Sequence, residues 1–345
     1  MTELLDSPPY GPRQDQRLLA ELNALARHHR DYCPPFARIW KRWTEAADVS
    51  GIPFLHVGLF KLGTFQTDYP SVRRGRTLRS SGTSGSASQI ALDDESASLQ
   101  SRSAAAILKD FLGETPRPLL VLDRAVSLRA RGELTARLAA AMSLRTLSTE
   151  IHFLMNDESG AIAWDRAAPV LDRHSDLFLY GFTSALWTDW ARANPPERIR
   201  ERLAQTRVTF VHSGGWKKLE AQNVDSRRLE QELLSRVAAG SRVLDFYGLA
   251  EQVGLLYPLC AKGYRHVPVW ADVLVRNAWS LETLEGEPGL LQLLNVLARG
   301  APYFSVLTED LGRIVPGVCE CGRSGKRFEL LGRVPKAELR GCGAV

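Results

Sequence analysis

Four short apolar runs, Pro118–Leu122, Leu177–Phe182, Val208–Val211 and Val243–Tyr247, are separated by stretches long enough for helices and rich in Arg and Leu. A chain that returns to pair parallel needs a crossover of a dozen or more residues, usually a helix. This alternation therefore predicts βαβ units and a mainly parallel sheet. Upstream, Leu18, Leu19, Leu22 and Leu25 recur at helical spacing within residues 14–31, as on an amphipathic helix. Residues 52–60 (IPFLHVGLF) read as a strand, and helices are expected near 96–113 and 130–145. Beyond Tyr247 the pattern changes. Val267–Val275, Gly289–Val296 and Tyr303–Leu307 are short strand-like runs divided by Gly, Pro and charged turns, which predicts an antiparallel subdomain.

The chain has 345 residues, long enough for a large core, with 44% apolar and 24% charged residues as in globular proteins. Its net charge of +5 is scattered rather than gathered on one arm with aromatics, so no nucleic-acid partner is expected. No apolar run approaches the roughly 20 residues that span a bilayer, and the N-terminus lacks a signal-peptide pattern. A cytoplasmic location without membrane insertion is the expectation, with the five cysteines reduced and available for metal or nucleophilic chemistry.

Residues 80–88 (SSGTSGSAS) follow a basic cluster, Arg73, Arg74, Arg76 and Arg79. Such composition suits either a flexible linker or a loop that wraps N–H groups and hydroxyls around phosphates. It is not a Walker A sequence, because no Gly-Lys-Ser/Thr follows, and no G-x-G-x-x-G occurs. However, Ser81-Gly82-Thr83-Ser84-Gly85 resembles the TSGTTG phosphate loop of adenylate-forming enzymes. Three further segments resemble that family's motifs in the same order: Tyr247-Gly248-Leu249-Ala250-Glu251, Leu307-Thr308-Glu309-Asp310 and Leu331-Gly332-Arg333. Within the superfamily, "GIPFLHVGLFK", "SSGTSGSASQIALD", "HSGGWKKLE" and the terminal "ELRGC" are similar to the LuxE family. Those are acyl-protein synthetases of fatty acid reductase systems, and the likeness spans roughly residues 35–345.

The resemblance implies an α/β fold, the large N-terminal domain of an adenylate-forming enzyme. Residues 1–330 would form it, with a β-rich subdomain about 255–330, and 331–345 would be a short tail after a hinge. The family's mobile C-terminal domain, with its catalytic Lys, is expected to be absent, and Lys336 is not assigned that role. Ser81, Gly82, Thr83, Ser84 and Gly85 would hold the pyrophosphate end of ATP; the Lys that many members place after the loop is Ser88 here. Gly214, Gly215 and Trp216 would line the adenine, and Tyr247, beside Gly248, would stack on it. Glu251 would hold Mg²⁺, Asp310 would accept from both ribose hydroxyls, and Arg333 would sit nearby. His212 would either touch the carboxylate or adenylate or be a satisfied strand-end histidine. Residues around Phe178–Phe182 and Leu255–Tyr257 would line the acyl pocket.

Cys260 and His266, with Cys319 and Cys321, are two pairs of soft ligands suited to a structural Zn²⁺, an arrangement some phenylacetate-ligase-like relatives resemble. Cys33, beside two prolines, reads as packing. Cys342, in the tail, would carry the acyl group as a thioester. The implied function is ATP-dependent formation of an acyl-adenylate, then transfer through Cys342 to a partner protein such as a reductase or carrier protein, or to a small acceptor. Two rivals stand beside it. One is an adenylase of small aryl acids with no covalent cysteine step; the other is a non-catalytic adenylate-binding subunit.

Overall fold

The computed structural model describes residues 2–63, 65–79, 89–125, 133–214, 219 and 224–334. Its central sheet has six strands in the order Tyr257–Pro258, Arg242–Tyr247, Arg207–Ser213, Asp176–Phe182, Arg117–Arg124, Ser148–Met155. All neighbours are parallel except the short edge strand Tyr257–Pro258. Each of the four apolar runs is a strand of this sheet. Their side chains divide by a period of two: Leu119, Val121, Phe178, Tyr180 and Val211 enter one core, while Leu120, Leu122, Leu177, Leu179 and Phe210 enter another. A sheet covered on both faces explains why the runs are continuously apolar rather than alternating.

Helices Trp164–Arg173, Glu197–Gln205 and Ser226–Leu234 cover the second face with Ala167, Val170, Ile199, Leu203, Leu229 and Leu233. Helix Asp94–Leu112 covers the first through Leu99, Ala104, Ile107 and Leu108. Asp93 caps it by accepting from the Ser96 N–H at 3.1 Å, and Gly113 ends it at φ +84°. The same core runs on into helix Asp15–Tyr32, through Leu18, Leu22 and Leu25, and into a second sheet.

That second sheet is mainly antiparallel, in the order Arg265–His266, Arg327–Arg333, Ser305–Val315, Gly289–Asn295, Ala271–Arg276. Residues 52–60 depart from the expected strand. Only Leu55–His56 forms a strand, pairing parallel with Val306 and Leu307, and helix Leu59–Leu62 follows. The expected helix at 130–145 is shorter: Glu133–Thr135 is a strand and Ala136–Met142 the helix. That strand joins Arg74–Arg79 and Gln89–Asp93 in a three-stranded sheet. Arg79 pairs antiparallel with Gln89, so the Ser/Gly run connects two strands and not a strand and a helix. No helix among the described residues is long and apolar enough to cross a membrane.

Candidate active site

In open parallel sheets, ligands bind beyond the carboxyl ends of the strands. Here the strands Asp176–Phe182, Arg207–Ser213 and Arg242–Tyr247 end together, with Gly181 level with His212 and His212 level with Asp245. Thr183, Gly214 and Gly248 are the next residues after the three strands. Gly214 adopts φ +112°, a region that disfavours a side chain.

Tyr247, the last residue of its strand, donates its hydroxyl to Asp310 Oδ2 at 2.8 Å. Arg333 Nε donates to Asp310 Oδ1 at 2.8 Å from the neighbouring strand, where the two residues are paired in register. The Thr308 hydroxyl accepts from the Asp310 N–H at 3.0 Å, which fixes the carboxylate's own backbone. Burial, with the Asp310 carboxylate second, raises the Tyr247 hydroxyl well above the ordinary phenol range, so it stays a proton donor. Its ring lies nearly parallel to Tyr257 at 6.0 Å and meets the edge of Phe328 at 6.3 Å. One ring face of the expected adenine platform is therefore already packed on protein. Each carboxylate oxygen of Asp310 retains a second acceptor position.

Glu251 is buried on the single helical turn Ala250–Gln252, four residues past Tyr247. The turn is pinned on both sides. Gln252 Nε2 donates to the Leu293 and Tyr303 carbonyls at 2.8 and 2.9 Å, and Ser103 Oγ donates to the Gly254 carbonyl at 2.7 Å. Gly254 has φ +85°, and a Cβ there would lie 2.5 Å from the Gln100 backbone. Glycine is thus required by both conformation and space.

His212 is only 3% exposed. Its Nδ1 is 2.9 Å from Thr183 Oγ1 and 3.8 Å from Asp245 Oδ1. Asp245 Oδ2 in turn accepts from Arg265 at 2.6 Å, and Arg265 also donates to the Tyr257 carbonyl at 2.7 Å. Burial pulls the imidazole below its usual pKa, more than the Asp245 carboxylate lifts it. Thr183, Asp245, Tyr257 and Arg265 belong to none of the sequence motifs. The register of three parallel strands, which no local spacing encodes, brings the first two to His212.

Cys260, His266, Cys319 and Cys321 converge as the sequence suggested, with all four ligand atoms within 4.8 Å of one another. Cys260 and Cys319 sulfurs are 3.9 Å apart, and Cys321 Sγ is 3.2 Å from His266 Nε2. Burial pushes the Cys321 thiol up, but hydrogen bonds from the Arg323 backbone, the Cys319 thiol, the Arg323 side chain and the Cys260 thiol together hold it below its usual pKa. Cys33 is fully buried and packs in the core. Ser81–Gly85, Gly215, Trp216 and Cys342 lie outside the described residues. Of the residues expected to line the acyl pocket, Phe178, Tyr180, Leu255, Leu256 and Tyr257 share the core on one face of the central sheet.

The sequence matches the family model "Acyl-protein synthetase, LuxE" over residues 12–345. No curated protein matches it. The structure is similar to 2-hydroxyisobutyryl-CoA ligase solved with 2-HIB-AMP and CoA in the thioesterification state. The TM-score is 0.67 at 14% identity, covering 95% of this chain and 70% of that one. An open conformation of that ligase with the same two ligands gives a TM-score of 0.65 at 13% identity, covering 94% and 76%. Family match and fold agree: this chain belongs to the LuxE acyl-protein synthetase family and has the fold of the adenylate-forming ligases.

Proposed function

We propose that this protein activates a carboxylic acid with ATP, releasing pyrophosphate and forming an acyl-adenylate, and then passes the acyl group to a thiol. The observation that carries the reading is the meeting of Tyr247, Asp310 and Arg333. Three separate motifs nominate these residues, and they converge on one buried carboxylate beyond the ends of the parallel strands. A carboxylate with an acceptor position left on each oxygen is suited to the paired hydroxyls of a ribose. Arg333 pairs with one of its oxygens and Tyr247 donates to the other, which together orient it. Glu251, a buried carboxylate on a pinned turn, is the residue that would hold Mg²⁺ against the phosphates. Ser81–Gly85 would hold the pyrophosphate, and Gly214, Gly215 and Trp216 would line the adenine.

The first step needs little proton chemistry: two anions must be brought together with charge neutralised and the attacking oxygen in line. In the second, a thiolate attacks the acyl carbonyl and AMP leaves with the oxygen that joined it to the acid. Cys342 is the proposed first acceptor, before a partner protein or small molecule, with residues 1–330 acting as the adenylating domain and 331–345 as the tail.

Cys260, Cys319 and Cys321 with His266 are proposed to bind one structural Zn²⁺. Sulfurs bound to one zinc at about 2.3 Å lie roughly 3.8 Å apart, close to the observed 3.9 Å.

Acid-dependent exchange of labelled pyrophosphate into ATP tests the adenylation step, run over a panel of fatty and aryl acids. Exchange is expected in the wild type and lost in Glu251→Ala; full exchange in that variant would reject the assignment. The acyl-transfer step is tested by a hydroxylamine-labile acyl mass on intact protein, expected in the wild type. Cys342→Ser should keep exchange and lose that mass.

A further inference from the structure

Thr183 is fully buried immediately beyond the end of its strand, and its single hydroxyl faces three groups. His212 Nδ1 lies at 2.9 Å, the Ser213 carbonyl at 3.3 Å and the Gly214 carbonyl at 3.4 Å. A hydroxyl carries one proton and two lone pairs. If that proton went to an unprotonated Nδ1, both carbonyl oxygens would face a lone pair of Oγ1. The Nδ1 lone pair would also face the Asp245 carboxylate, whose Oδ1 is 3.8 Å away. Turning the proton towards the carbonyls, and placing the imidazole proton on Nδ1, converts each of these contacts into an attraction.

We infer that Thr183 is a positioning residue that holds His212 as its Nδ1-protonated tautomer and ties it to the Gly214 turn. The imidazole then presents Nε2 as a hydrogen-bond acceptor. The ring and the turn that is to line the adenine are fixed by the same oxygen. Asp245, itself held by Arg265, supports the same tautomer from the next strand. The inference rests on the acyl-adenylate reading for its catalytic consequence, and on geometry alone for the tautomer.

The test uses full-length protein labelled with ¹⁵N-histidine and long-range ¹H–¹⁵N spectra at about pH 8, where imidazoles are neutral. His212 is assigned by its disappearance in His212→Gln. The expected wild-type pattern is Nδ1-protonated, retained in Thr183→Ser. Thr183→Val, similar in shape but unable to accept, is expected to move His212 towards the Nε2-protonated form. It should also slow acid-dependent pyrophosphate exchange roughly tenfold or more, the scale seen when a metal-bound histidine loses the partner that orients it, and Thr183→Ser should restore it. An Nε2-protonated wild type overturns the tautomer assignment even if the valine variant fails to fold. Exchange unchanged in Thr183→Val despite a changed tautomer overturns the positioning role. No exchange in the wild type, whatever its spectrum, overturns the functional reading instead.

Discussion

Asp310 is held from two sides, by a phenol from the end of one sheet and a guanidinium from the neighbouring strand of the other. Removing the carboxylate should therefore hurt more than removing either partner. Asp310→Ala is expected to weaken ATP binding by about 1.5–3 kcal/mol, a factor of roughly 10–150 in Kd, measured by calorimetry. Tyr247→Phe removes one neutral donor and should cost about 0.5–1.5 kcal/mol. An equal or larger loss in Tyr247→Phe would mean that the carboxylate is not the nucleotide's partner. Buried histidines supply a pH dependence. Burial holds His29 well below its usual pKa, and His212 below it as well. The unfolded chain takes up protons near about pH 6.5 while these folded-state imidazoles stay neutral. Their contribution is therefore complete above that pH and is lost as pH falls below it, by up to about 1.4 kcal/mol per pH unit for each histidine. Urea midpoints should drop between about pH 7.5 and pH 5, less steeply in His29→Gln; a flat profile would refute this. Tyr247, Asp310 and Arg333 were legible as residues because each sits in a short motif. Thr183 and Asp245 were not, since only strand register brings them to His212, and Arg265 reaches Asp245 from the other sheet.

The hairpin and turn that supply Cys260, His266, Cys319 and Cys321 tie the edge of the central sheet to the second sheet. Cys260 follows the edge strand Tyr257–Pro258, and His266 ends a strand paired with Arg327. Cys319 and Cys321 lie in the turn between Ser305–Val315 and Arg327–Arg333. Binding energy at such a junction is folding energy. Purified protein should contain one zinc per chain. Cys319→Ser should lower the metal content and reduce the Tm by roughly 4 °C, on the order of 3 kcal/mol for a chain of this size. A metal-free protein with unchanged Tm would remove the site. The Tyr247–Gly254 segment should be as sensitive at its far end. Gly254→Ala combines a left-handed φ with a Cβ 2.5 Å from Gln100, and about 2–4 kcal/mol of destabilisation in urea titrations is expected. Elements with strong periodicity were legible to within two residues at each end, as helix Asp15–Tyr32 and the four apolar strands show. Residues 52–60 were not, because the extension of Leu55–His56 depends on a partner some 250 residues away. Ser148–Met155, a half-exposed edge strand, lacks the continuous apolar run that marked its neighbours.

At the scale of the whole molecule, one hydrophobic core passes from the central sheet through helix Asp94–Leu112 into the second sheet. It fixes the two sheets so that Tyr247 of one meets Asp310 and Arg333 of the other. The fold was legible from the order of its elements, whereas the meeting of the two sheets was implied only by the order of the motifs. The central claim concerns bond making: a carboxylate oxygen attacks the α-phosphorus of ATP and remains with AMP when the acyl group departs. The most direct measurement is therefore turnover of ¹⁸O-labelled carboxylic acid with ATP and a thiol acceptor, followed by mass spectrometry of the nucleotide. An acyl-adenylate route predicts AMP carrying one ¹⁸O per turnover, with unlabelled pyrophosphate. ADP together with ¹⁸O-labelled orthophosphate would instead mean an acyl-phosphate, and would contradict the account.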